Sequence, residues 1–124
     1  MNRRSLGAAV VSIALAALFS ACNFAVADIS TVPVSPTFTK DVLPLLDDHC
    51  NLCHGTDTNR GAPGDFRLDT YDDADGIRGA LSMASEILGE IDSGSMPPAA
   101  AWGDGVGKNG KELIKRWIDQ GAPR

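Results

Sequence analysis

Apolar side chains recur at helical spacing in three stretches of the chain, and no stretch shows the strict alternation of a half-buried strand. The first stretch covers residues 38–49, with apolar residues at the first, fifth, eighth and ninth positions counted from Phe38. These positions share one face of a helix. Pro44 falls inside the stretch, so the helix either starts late or bends there.

Two further helices are predicted in the second half of the chain. Ser82 or Ser85 caps the first of them, which runs to about Ile91 with Gly94 as its stop. The other covers residues 111–120 and is followed by a glycine. Its apolar face consists of Leu113, Ile114, Trp117 and Ile118.

The segments between the predicted helices are rich in glycine and proline. Such loops cover residues 55–69 and 94–110, and Thr70 is predicted to cap a short turn over residues 71–74. We find no internal repeat and no low-complexity tract. The pattern therefore predicts an all-α fold of three or four helices joined by Gly/Pro-rich loops.

The amino-terminal residues have the pattern of an export signal. Arg3 and Arg4 precede an uncharged, mostly apolar run over residues 6–19, which is too short to span a bilayer and suits a signal peptide. The preferred interpretation is a signal peptide of residues 1–27, cleaved after Ala27. The alternative is a lipoprotein signal of residues 1–21 with Cys22 lipidated. Both interpretations place the mature protein in the periplasm or cell envelope.

The mature chain is predicted to be a short linker followed by one small domain. Residues 28–37 contain two prolines and no helical periodicity, so they are expected to form a linker, with the domain over residues 38–124. Without residues 1–27, nine cations remain against sixteen acids, a net charge of −7. An acidic chain without a basic cluster argues against nucleic acid or an anionic lipid surface as a partner.

The chemistry of the chain is concentrated in one C-x-x-C-H motif, which is the attachment signature of a c-type haem. Two thiols one helical turn apart can add to the two vinyl groups on one edge of a porphyrin. The next imidazole then lies against the haem face and binds iron. The sequence predicts one haem c attached covalently through Cys50 and Cys53, with His54 as an iron ligand.

Other interpretations of the motif need features that this chain lacks or leave His54 unexplained. A thioredoxin-like C-x-x-C is expected in a βαβ context, and no alternation of strands and helices is visible. A structural zinc site needs four ligands, and only His49 is offered outside the motif. A disulfide between Cys50 and Cys53 is compatible with export. It assigns no role to His54.

On these and further motifs the sequence resembles a class I c-type cytochrome, most closely the short bacterial single-haem modules. The motifs that carry the resemblance are Phe38, Asp41-Val42, Pro44, Cys50 to Gly55, Met96-Pro97-Pro98, Trp117-Ile118 and Gly121-Ala122. The resemblance extends over residues 38–122. It implies a small all-α fold wrapped around one haem, with the first and last helices crossing where Phe38 or Val42 meets Trp117.

A second iron ligand must reach the haem from the side opposite His54. His49 lies five residues before His54, on nearly the same turn, and is therefore expected to point from the same side. Met83 falls at the start of a predicted helix, where a methionine commonly fills a core. Met96 precedes two prolines that keep it out of a helix. We therefore predict Met96 as the ligand, and the resemblance implies the same residue.

Residues around the motif are assigned weaker roles. Leu52 and Leu68 are expected to line the haem. The resemblance implies that the Pro63 carbonyl accepts a hydrogen bond from the other ring nitrogen of His54. Candidate partners for the haem propionates are Arg60, Arg67 and Trp102.

The function predicted from these residues is single-electron transfer by an exported monohaem cytochrome rather than enzymatic catalysis. Iron with both axial positions filled has no site for a substrate, and the chain shows no nucleophile constellation or phosphate-binding loop. The expected partners are a redox protein donor and acceptor, with membrane anchoring only through a lipid on Cys22, and the protein is otherwise expected to be a monomer. The alternatives are an electron-entry subunit of a larger oxidoreductase and a haem-based sensor of small ligands.

Overall fold

The computed structural model describes residues 31–57, 62–99, 103 and 105–124. In chain order, its helices are a π-helical turn (Phe38–Val42), α1 (Leu43–His49), α2 (Asn51–His54), α3 (Ala84–Ser93) and α4 (Gly107–Asp119). Within these residues, extended pairing is limited to two isolated bridges, Phe66 with Arg78 and Ala74 with Ile77. The predicted all-α fold is confirmed.

The first predicted helix is divided at the position that its proline suggested. Pro44 lies in the first turn of α1, where its missing N–H is not needed. Upstream, the chain winds into a wider turn in which the Val42 amide donates to the Thr37 carbonyl at 3.1 Å. Downstream, Cys50 leaves helical geometry with φ −124° and separates α1 from α2.

The ends of the later helices are predicted only in part. Gly94 ends α3 in the left-handed conformation with φ 74°, as expected. The predicted serine cap is wrong, because Met83 holds the N-cap position and no side chain caps the helix. The Ser82 hydroxyl instead donates to the Asp73 carboxylate at 2.8 Å. Thr70 caps no turn either, since its hydroxyl donates back to the Arg67 carbonyl.

The core lies where α4 crosses the π-helical turn and α1. Four side chains at this crossing are at most 1% exposed: Ile114 and Trp117 on α4, Val42 in the π-helical turn and Leu46 on α1. The rings of Phe38 and Trp117 lie 6.0 Å apart between centroids. The crossing predicted between the first and last helices is therefore present.

The carboxyl-terminal residues fasten this crossing. The Pro123 carbonyl accepts hydrogen bonds from the Phe38 amide at 2.9 Å and from the Trp117 indole nitrogen at 2.8 Å. The Tyr71 hydroxyl donates to the Ala122 carbonyl at 2.8 Å, and its ring packs on Phe38 with centroids 5.3 Å apart. Two segments distant in sequence are thereby joined to the end of α4.

The amino-terminal segment expected as a linker lies against α4 over residues 32–36. The Arg116 guanidinium donates to the Val32 and Pro33 carbonyls at 3.0 and 3.3 Å. The Gln120 amide donates to the Val34 carbonyl at 2.7 Å. Val32 and Pro36 are buried, so this segment packs onto the domain rather than standing free of it. No helix in the described part of the chain is long and apolar enough to cross a membrane.

The packing around the start of α4 leaves no room for a side chain at Gly110. A Cβ atom built there would lie 2.8 Å from the Val106 Cβ and 3.2 Å from a Leu45 methyl group. By contrast, a Cβ at Gly89 on α3 would meet nothing within 4 Å. The two glycines therefore differ only in what surrounds them.

We predict opposite effects for alanine at these two helical glycines. Gly110→Ala should lower the free energy of unfolding by about 1–2 kcal/mol, because overpacking outweighs the gain in helix propensity. Gly89→Ala should raise it by up to about 1 kcal/mol. Denaturant unfolding of the purified protein measures both. Equal effects of the two substitutions would contradict the packing described for α1 and α4.

Candidate functional site

The C-x-x-C-H motif is held by one turn of helix that begins at Cys50. The Cys50 amide donates to the Leu46 carbonyl at 2.7 Å, which ties the motif to the buried end of α1. The Cys50 carbonyl accepts from the Cys53 and His54 amides at 3.0 and 2.9 Å. Both thiols are free. The sequence spacing thus becomes one compact turn with two thiols and an imidazole.

Cys50 and His54 line a cavity between α2, α3 and the segment after the motif. Its empty space, including the part open to solvent, is about 440 Å³. Most of its wall is apolar and is formed by Phe66, Leu68, Met83, Ile87, Ile91 and Pro97.

His54 presents a largely neutral imidazole to this cavity. Burial lowers its pKa below the ordinary value, and the positive charge of Arg67 adds to the effect. Its Nδ1 atom is buried and has no hydrogen-bond partner within the described residues. A neutral ring is the form of histidine that binds a metal.

The hydrogen bond expected between Pro63 and His54 is absent from the described structure. The Pro63 carbonyl accepts from the Arg67 guanidinium at 3.3 Å. The same guanidinium donates to the Phe66 carbonyl at 2.6 Å. Arg67 is thus engaged by nearby backbone carbonyls, and it reaches His54 only through its charge.

Phe66 stacks on the ring of His54, a contact that the sequence did not reveal. The two ring centroids are 5.0 Å apart, and the planes differ by 20°. Phe66 lies in a loop with no periodicity, and the pairing of its backbone with Arg78 brings it to the site. The residues near the motif carry no local signal for such a contact.

Met96 reaches the cavity because of the way α3 ends. Gly94 turns the chain, and the amides of Ser95 and Met96 both donate to the Glu90 carbonyl, at 3.0 and 3.1 Å. The side chain of Met96 lines the cavity while the residue remains 39% exposed, and the adjacent Pro97 is buried. Met96 therefore lies at the cavity rim on a constrained turn.

The structure also brings Met83 to the cavity and leaves His49 outside its wall. Met83 is 7% exposed and belongs to the hydrophobic core as well as to the cavity lining. His49 Nδ1 lies 3.1 Å from the Leu45 carbonyl on its own helix. Leu68 lines the cavity as expected, whereas Leu52 is 48% exposed and does not. Arg60 and Trp102 lie outside the described residues.

Two carboxylates and a perturbed thiol complete the cavity. Glu86 and Glu90 project from α3 to its edge, and Glu86 lies 3.7 Å from the Arg78 guanidinium. Burial, and next the charge of Cys53, raise the pKa of the Cys50 thiol to about 12. In the folded domain Cys50 therefore stays protonated at neutral pH. The sequence analysis did not find the two glutamates, whose spacing of four residues places them on one helix face.

The donor set and the cavity fit a covalently attached haem. Two thiols lie on one turn, of which Cys50 lines the cavity and Cys53 does not, and a neutral imidazole follows them. The Met96 thioether reaches the same cavity from the turn after α3. Cysteine sulfur, histidine nitrogen and methionine sulfur are the groups that hold haem in c-type cytochromes. Among the described residues, no group of three or more His, Cys, Asp or Glu is arranged to hold a metal ion directly.

Residues 50–100 match a protein-family model described as Planctomycete cytochrome C. The matched span includes the C-x-x-C-H motif, α3 and Met96, and it supports a cytochrome c-like domain. No curated protein and no solved structure matches the chain significantly. A cytochrome c-like domain implies haem c attached through cysteines, in agreement with the spacing of Cys50 and Cys53.

Proposed function

We propose that this protein is an exported monohaem c-type cytochrome that transfers single electrons through iron bound by His54 and Met96. One observation carries the proposal: Cys50, His54 and Met96 all line one cavity whose wall is mainly apolar. The family match supports haem-based electron transfer in general. The single haem, the ligand pair and the location are our own inference.

Each residue of the site has a distinct role in this proposal. Cys50 and Cys53 would hold the haem through thioether links, and His54 and Met96 would bind its iron. When bound, the haem supplies reversible one-electron chemistry between Fe(III) and Fe(II). The apolar wall excludes water and, with the Met96 thioether, favours Fe(II) and a higher potential.

Met96 suits the role of second ligand better than Met83 does. The Met83 amide donates to the Gly79 carbonyl at 3.1 Å, and its carbonyl accepts from the Ile87 amide at 2.8 Å. Its side chain packs in the core, which makes it a wall residue. Met96 instead stands at the rim on a turn fixed by two hydrogen bonds to Glu90. A ligand on a fixed turn retains its position in both oxidation states.

Filled axial positions favour a carrier over an enzyme or a sensor. With both positions taken by protein side chains, no open site remains for a substrate or a gas. The match to a cytochrome c family is consistent with an electron carrier. An electron-entry subunit of a larger oxidoreductase would use the same site, and co-purification of a partner enzyme would distinguish it from a free carrier.

The first test of the proposed function concerns the axial methionine. Met96→Ala should convert the low-spin spectrum toward high-spin or water-ligated iron and should admit carbon monoxide. Met83→Leu, a volume-conserving change in the core, should leave both the spectrum and the potential nearly unchanged. Optical spectroscopy follows the methionine-to-iron charge-transfer band.

If Met83→Leu abolishes the charge-transfer band and Met96→Ala retains it, the iron ligand is Met83 instead. If neither substitution alters the spectrum, the methionine-ligated carrier is wrong and the sensor hypothesis replaces it. Met96→His provides a positive control, since it should keep the iron low-spin but lower the potential, because imidazole stabilises Fe(III) more than a thioether does.

The second test concerns covalent attachment. Cys50→Ser or Cys53→Ser should strongly reduce covalent haem loading, and His54→Ala should yield an unfolded or degraded chain. The reason is that so small a domain lacks a sufficient core without its cofactor. Haem staining and intact mass measure loading, and thermal unfolding measures folding. A chain that unfolds cooperatively without haem would contradict this dependence.

The proposed location is the periplasm or cell envelope, with redox proteins as the electron donor and acceptor. Domains of this family are typically exported. The net charge of −7 on the chain without residues 1–27 disfavours nucleic acid and anionic lipid as partners. The proposed protein is a monomer that contacts a membrane only if Cys22 carries lipid.

Cys22→Ser tests the two proposed cleavage sites. If Cys22 is lipidated, the acyl chains hold the protein on a membrane, and the substitution should release it into the soluble fraction. If cleavage follows Ala27, the substitution should leave the mature mass and the fractionation unchanged. Intact mass spectrometry of both forms reads the cleavage site directly, and a mature amino terminus at any other residue would reject both.

A further inference from the structure

The ring of His54 is one end of a stack that continues outward to a cation. Phe66 lies on the imidazole at 5.0 Å between centroids, nearly parallel to it. The Arg78 guanidinium lies 5.9 Å from the Phe66 ring centroid. Arg78 is itself fixed by the Asp65 carboxylate at 2.9 Å. His54, Phe66 and Arg78 thus form one continuous column.

The backbone holds Phe66 in this column. The Arg67 amide donates to the Arg78 carbonyl at 2.8 Å, and the Arg78 amide donates to the Asp65 carbonyl at 3.0 Å. These two bonds bracket Phe66 on both sides. The bridge to Arg78 therefore fixes the backbone from which the Phe66 ring projects.

Among the described residues, the same ring of His54 has no partner for the hydrogen bond that usually orients a metal-bound histidine. Such a ligand almost always donates its other ring N–H to a carbonyl, carboxylate or water, which fixes the ring and raises its basicity. Here Nδ1 is buried without a partner in the described structure, and the Pro63 carbonyl is used by Arg67. The α2 backbone fixes the position of the His54 Cα atom. The rotation of the His54 ring depends on packing.

We propose that Phe66 is the positioning residue for His54, and that it sets the ring plane by stacking in place of a hydrogen bond. This inference rests on the proposed function, in which His54 binds the haem iron. An imidazole without an acceptor at Nδ1 is a weaker electron donor to iron, which favours Fe(II). The stack contributes to this because the Phe66 ring covers one face of the imidazole and keeps an accepting water away from Nδ1.

The proposal separates an effect on the iron from an effect on packing. Phe38 supplies a control, since it is an aromatic residue with two ring neighbours of its own, Tyr71 and Trp117. It is 3% exposed and does not line the cavity. Loss of either aromatic ring lowers stability, but only loss of Phe66 reaches the ring of His54.

The experiment compares the haem-loaded native protein with Phe66→Leu, Phe66→Tyr and Phe38→Leu. In a fixed redox buffer, Phe66→Leu should lower the ratio of reduced to oxidised protein several-fold and change the g-value pattern of the low-spin EPR spectrum. Phe66→Tyr keeps a stacking ring and should restore both to the native values. Phe38→Leu should lower the thermal midpoint while leaving both readouts native.

Each contrary result overturns a defined part of the argument. A native ratio and spectrum in haem-loaded Phe66→Leu would overturn the positioning role and leave the proposed function intact. Equal changes of the redox ratio and the EPR spectrum in Phe38→Leu would show that any loss of core packing has this effect. That result would also overturn the positioning role. Absence of covalent haem from the native protein, seen by mass, would remove the proposed function instead. If Phe66→Leu does not load haem, Phe66→Met decides by the same criteria.

Discussion

The crossing of α4 over the π-helical turn and α1 is the contact on which the remaining structure depends. Trp117 and Ile114 enter the face formed by Val42 and Leu46, and all four side chains are at most 1% exposed. Because Leu46 also accepts the hydrogen bond that starts the Cys50 turn, the core and the candidate site share one support.

The site then takes its second wall from α3, whose end is shaped by backbone geometry rather than by side-chain packing. Gly94 and the Glu90 carbonyl turn the chain so that Met96 meets the cavity formed at α2. The site is therefore assembled from a rigid turn on one side and a helix terminus on the other. Such an arrangement suits a centre whose ligands must move little between two oxidation states.

Local patterns predicted those features that depend on local geometry. The helical faces around Phe38 and Trp117, the stop at Gly94 and the single turn of the C-x-x-C-H motif all follow from periodicity and residue type. Features that depend on contacts between distant loops were missed. Asp73 draws the Ser82 hydroxyl away from the helix that it was expected to cap, and Arg78 brings Phe66 onto His54. The proposed roles of Cys50, Cys53, His54 and Met96 remain predictions.

The carboxyl-terminal closure also imposes an order in time on a chain that is synthesised amino end first. The motif emerges before α4, with residues 55–106 between them. Until α4 is made, Val42 and Leu46 lack the Ile114 and Trp117 side chains that share the core with them. Docking of Trp117 and the hydrogen bonds to the Pro123 carbonyl then complete the core that supports the motif turn through Leu46. The segment that is synthesised last therefore completes the support of a motif that is synthesised early.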